Sequence, residues 1–172
     1  MTTEFNSIII KDDTEWFMVI PLDQKACTHY GKPIHHWCIT WKRSTSFYRH
    51  FHLWYYTVIF ITHKISGNRW VMLINDNDGE IQVCSDKLPD NIESQLKYRS
   101  SNEVLDGRIT VEKFVNDSGL TVDSIKELLY TNDVISIVRQ ARTEGLDPLD
   151  IHKVLVTNPD KQDTKKSLWR ME

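Results

Sequence analysis

The 172-residue chain is poor in the residues that mark specialised protein classes. Three cysteines, scattered and odd in number, make no disulfide framework. Six glycines and five prolines are too few for a fibrous or low-complexity chain. The longest apolar-leaning run, Leu53 to Thr62, is about half the length of a membrane span and is rich in Tyr and Thr. Met1 to Asn6 is polar and lacks the basic-then-apolar order of a secretory signal. Phosphate loops, G-x-S-x-G and paired catalytic carboxylates at motif spacing are missing as well. These absences predict a soluble globular chain of a reducing cytoplasm, with free thiols and no membrane association.

The most informative absence is local. From Gln24 to Asn75 there is no Asp or Glu, while Lys25, Lys32, Lys42, Arg43, Arg49, Lys64 and Arg69 give the stretch a charge of +7. The whole chain carries -3, so the remainder carries -10, and a small total hides a strong asymmetry. Six of the seven histidines lie in the same window, with Cys27, Cys38 and a crowd of aromatics from Tyr30 to Phe60.

Around this stretch the pattern predicts an α+β fold. Ser7 to Ile10 and Glu15 to Leu22 read as a hairpin of strands joined by a polar turn. Asp23 caps a short helix over Gln24 to Tyr30, with Gly31 in the left-handed closing position. Lys32-Pro33 breaks it, and His35 to Thr40 is extended or a loop. Ser44 to Ser46 caps a helical turn through Phe47, Tyr48, Phe51 and His52. Tyr55 to Lys64, Arg69 to Asn75 and Glu80 to Cys84 then form a three-stranded meander with turns at Ser66-Gly67-Asn68 and Asp76 to Gly79. Beyond Pro89 the texture is helical: Asp90 to Arg99, Thr110 to Asp117, Thr121 to Tyr130, Val134 to Glu144, and Asp147 to Val156. The expectation is an N-terminal antiparallel sheet of about five strands with short inserted helices, and a C-terminal helical half packed on it. Residues 1-172 form one domain: 1-88 mainly β, 89-158 helical and 159-172 a polar tail.

Three chemistries compete for the central stretch. His36 and Cys38 share a side if extended, as do His50 and His52, and the four would make a zinc site, with His35 nearby. The spacings match no zinc-finger signature, so the ordinary reading is partly buried histidines in an aromatic cluster, with no cofactor. Cys38 beside His36 is the enzyme reading, a thiolate paired with an imidazolium and oriented by Asn75, Asp76 or Asp78. Against it, a Cys after Trp37 in an apolar segment belongs to a core. Binding of nucleic acid is the third: Lys42, Arg43, Arg49 and Arg69 neutralise phosphates, and Trp41 and Tyr48 stack on bases, as would Tyr55 or Trp70 on an open sheet face. The bland alternative is that strand aromatics fill the core and that the charge is diffuse, Lys42-Arg43 being the one adjacent basic pair. The acidic helical half and Trp169 in the polar tail add a protein partner to the options.

Trp16 to Leu22 (WFMVIPL), Ala26 with Tyr30-Gly31, Trp37-Cys38-Ile39-Thr40, Phe47 and Tyr48, and the three strands that follow resemble a loose group of small bacteriophage proteins. The resemblance covers residues 16 to 86 and departs from the group's pattern at Ile34-His35-His36. It implies a phage gene and action in the host cytoplasm, and it transfers no catalytic residues. The resulting expectation is a phage accessory protein that binds nucleic acid or a host protein and performs no catalysis; a virion component is the remaining alternative.

Overall fold

A computed structural model describes residues 5–32, 46–86 and 108–144 and has an α+β architecture. Strands β1 (Ser7–Asp12) and β2 (Trp16–Pro21) pair antiparallel around a turn that Asp13 holds shut. Its Oδ1 accepts from the amides of Glu15 at 2.9 Å and Trp16 at 2.6 Å. Those two bonds favour the carboxylate and hold Asp13 below its ordinary range. β3 (Tyr56–His63), β4 (Arg69–Asn75) and β5 (Ile81–Ser85) continue the meander through turns at Gly67 and Gly79, both in the left-handed region that their tight reversals require. β6 (Arg108–Ile109) adds a short sixth strand beside β5. Each described strand pairs with its sequence neighbour, in the order β1 to β6.

Directly paired residues share a face of the sheet. Ile59 opposite Met72, Ile61 opposite both Met18 and Trp70, and Val83 opposite Met72 therefore form one apolar face. Val58 opposite Leu73, and Phe60 opposite Val71 and Val19, form the other. Every residue from Tyr56 to Ile61 is buried, because both faces are covered. This is why β3 reads as a continuous apolar run and not as an alternating one.

Helix α1 (Gln24–Gly31) begins at Asp23, whose Oδ1 accepts from the Ala26 amide at 2.8 Å. It brings Tyr30 to the ring of Phe17 on the second face. α2 (Ser46–Tyr48) runs straight into a π-helical turn, Arg49–Leu53, that sets His50 against Tyr56 on the same face. The first face takes the C-terminal helices α3 (Val111–Ser118), α4 (Val122–Thr131) and α5 (Val134–Glu144). Phe114 meets Trp70 edge-on at 5.7 Å, and Ile125, Val134 and Val138 are buried. Thr110 and Thr121 cap α3 and α4 through their Oγ1 atoms, and Gly119 at φ 77° closes α3. Asn132, at the end of α4, donates to the Leu128 carbonyl at 2.8 Å and to the Ile10 carbonyl at 3.4 Å, tying the helices to β1.

The structure corrects the sequence reading in two places. Gly31 is the last residue of α1 itself, and Lys32, at φ -51°, closes the helix without a left-handed residue. The sheet also has a sixth strand, formed just before the Thr110 cap. The segments expected at His35 to Thr40, Asp90 to Arg99 and Asp147 to Val156 lie outside the described residues. Among the described residues no helix is long and apolar enough to cross a membrane.

Candidate functional site

Of the residues expected to bind nucleic acid, Trp41, Lys42 and Arg43 lie outside the described residues. Tyr48 is half-buried, with its ring edge-on to Phe47. Arg49 is only 6% exposed, which removes it as a surface cation. Arg69 is half-buried and faces Asp86 at 3.9 Å. Trp70 is buried, with Phe114 against it, and so offers no open stacking face. Lys64, also in the basic stretch, is paired with Asp12 at 2.6 Å. The sequence sums charge without depth; in three dimensions these described cations are spent on internal or local partners.

His35, His36 and Cys38 lie outside the described residues. His50 and His52 sit on a helical turn and not on a strand, so residues two apart diverge. The His50 ring packs on Trp54 at 4.8 Å, while His52 packs on Tyr48 at 5.7 Å. Burial lowers the His52 pKa to about 4; a hydrogen bond to the Arg142 backbone opposes this, and the Arg142 cation adds to it. Its imidazole is therefore neutral at physiological pH. Cys27 is fully buried, and burial pushes its thiol well up. Among the described residues no three His, Cys, Asp or Glu side chains come together as a metal site.

The geometry instead gathers around Asp76, at the end of β4. The π-turn closes with the Trp54 amide on the Arg49 carbonyl, and Tyr55 follows at φ 57°, a left-handed conformation rare for an aromatic residue. Two bonds lock this bend to the β4–β5 turn. Asn75 Nδ2 donates to the Trp54 carbonyl and the Asp76 amide to the Tyr55 carbonyl, each at 2.9 Å. Asp76 Oδ1 accepts from Thr57 Oγ1 at 3.1 Å, and Oδ2 is paired with Arg142 of α5. Arg142 also donates through Nε to the Phe51 carbonyl at 2.6 Å, its guanidinium 4.8 Å from the Phe51 ring and 5.3 Å from that of Tyr55. Burial pulls the Arg142 pKa down and Asp76 opposes it, as expected for a desolvated ion pair.

A cleft of about 200 Å³ opens on the helical side of this hub. Thr57 and Ile74 of the sheet, with Leu129 and Val134 of the helices, make its apolar interior. Lys126 and Tyr130, four residues apart on α4, stand on one side, and Ile135 and Arg139, four apart on α5, on the other. All four are exposed, Tyr130 by 74% and Ile135 by 41%. Asp76 reaches the cleft too, but both its oxygens are engaged. Among the described residues neither Lys126 nor Arg139 has an ion-pair partner, so the net charge of the mouth is positive. The lining holds no imidazole or thiol, and its one hydroxyl besides Tyr130, that of Thr57, donates to Asp76. This chemistry suits holding a ligand.

Sequence reasoning passed over the cleft because its walls come from distant segments. A signal was present: Tyr130 and Ile135 fall outside the apolar stripes that seat α4 and α5, and an aromatic off the stripe faces water. No protein-family model, no curated protein and no solved structure matches the chain.

Proposed function

We propose that the protein acts by binding a macromolecular partner, without catalysis, and that the partner is a protein engaged through the cleft of α4 and α5. The observation that carries this reading is Tyr130, a large aromatic 74% exposed at the rim of an apolar cleft, with Ile135 across from it. An aromatic and an Arg around a small apolar depression are the composition of interface anchors. The size supports the same reading. Pockets that enclose small-molecule ligands run from about 300 to 1,000 Å³, whereas this cleft, at about 200 Å³, suits a protruding side chain. The proposed setting is a bacterial host's cytoplasm, with the protein as a phage accessory factor, supported by the Trp16, Tyr30-Gly31 and Trp37-Cys38 pattern.

The test is affinity capture from bacterial lysate with the full chain and with a Tyr130→Ser, Ile135→Ser double variant, each with and without nuclease. A protein held by the natural chain, lost by the variant and indifferent to nuclease is the expected result. Retention of nucleic acid alone, or of the same proteins by both baits, overturns it.

A further inference from the structure

The charge around the cleft narrows its occupant, on the reading that the cleft receives a protein. We infer that it takes an acidic peptide segment, one large apolar side chain seated on Ile74, Leu129 and Val134 and a neighbouring carboxylate held between Lys126 and Arg139. The first ground is charge complementarity. Lys126 and Arg139 flank the mouth with no carboxylate of their own, because Asp76 is committed to Thr57 and Arg142. Arg139 is also close enough to Arg142 for the two guanidiniums to repel, which leaves its charge in need of a partner. A carboxylate arriving between two such cations gains charge-assisted hydrogen bonds that an amide does not.

The second ground separates a peptide from a nucleic acid. Glu112, Asp117, Asp123, Glu127 and Asp133 are exposed on the same helical half. Asp123 and Glu127 lie within three residues of Lys126 on the same helix, and Asp117 is paired with Lys113 at 2.9 Å. A polyanion with a charge at every step needs a run of cations to neutralise it, and the cleft lining offers two. A peptide with one or two carboxylates opposite Lys126 and Arg139 meets only the local positive site. The third ground is shape: the depression is short and open at the top, so one side chain fills it while the backbone crosses the mouth over Tyr130 and Ile135.

Amide NMR of the full chain, titrated with four probes, tests this. The probes are a blocked peptide with a central phenylalanine between glutamates, the same peptide with glutamines, dodecanoate, and oligothymidylate. The glutamate peptide should shift the amides of Ile74, Leu129, Tyr130, Ile135 and Arg139, and the glutamine peptide should bind about tenfold more weakly. In a Lys126→Gln, Arg139→Gln variant, whose changes are on exposed side chains, the two peptides should become equal at an unchanged melting temperature. Equal binding of both peptides to the natural chain, no binding of the glutamate peptide at millimolar concentration, or binding of dodecanoate or oligothymidylate alone overturns the inference. If partner capture still depends on Tyr130 and Ile135 while the two peptides bind equally, the protein-partner reading stands and the acidic chemistry falls.

Discussion

From Tyr56 to Ile61, β3 buries every residue, whereas α4, ten residues long, buries only Ile125, and among its described side chains α5 buries only Val134 and Val138. The strand lies between two covered faces, so each side chain meets protein whichever way the pleat turns it. The helices meet protein along one stripe and water around the rest. The sheet thus concentrates the packing energy, and the helices keep apolar side chains such as Tyr130 in solvent. Evolution can alter the second surface without endangering the first.

The largest effect should come from the sheet. Ile59→Ala, a change at a fully buried site opposite Met72, is expected to cost about 4 kcal/mol in urea unfolding. Val138→Ala, at the corresponding depth in α5, should cost about 2 kcal/mol. Equal losses would break the comparison. Arg142→Met probes the link between the two regions. It removes the Asp76 partner and the bond to Phe51, at an expected cost of about 3 kcal/mol. A loss under about 0.5 kcal/mol would show that the Asp76–Arg142 pair does not help hold the helices to the sheet.

A smaller effect is pH-dependent. His52 stays neutral in the folded chain down to about 4 but takes a proton in the unfolded chain below about 6.5. The unfolded state therefore binds more protons between those values, and stability falls as pH drops from 6.5 towards 4. Asp13, whose carboxyl is held below 3.8, acts only at lower pH. His52→Gln should flatten the decline in melting temperature between neutral pH and the foot of that window; an unchanged slope would mean that other groups cause it. The smallest expected change is from Tyr130→Ser, less than about 0.5 kcal/mol in stability, and it should nonetheless abolish partner capture. A large loss of stability there would assign the ring to folding.

The features legible in the sequence are those with local causes. The ends of β4 and α5 fall where the β-branched run and the helical spacing put them, and Asp23 and Thr110 cap as their positions require. β6 was not legible, because two residues carry no periodicity and Ile109 is extended only by pairing with Val83. Gly31 misled because glycine's freedom to turn left is not an obligation to do so. The cleft and the Asp76 hub join residues from Thr57 to Arg142, and no window of sequence contains both ends of either.

The irregularity in β1 has a consequence for self-association. As an outer strand of the sheet, β1 would offer a second copy a row of backbone groups to pair with. Its register slips between Ile9 and Lys11, which breaks the even spacing another strand needs. The Ile10 carbonyl receives Asn132, and Lys11 and Asp12 place charge along the same strand. A slip that looks like a flaw in one hairpin thus blunts the β1 edge against pairing with another chain.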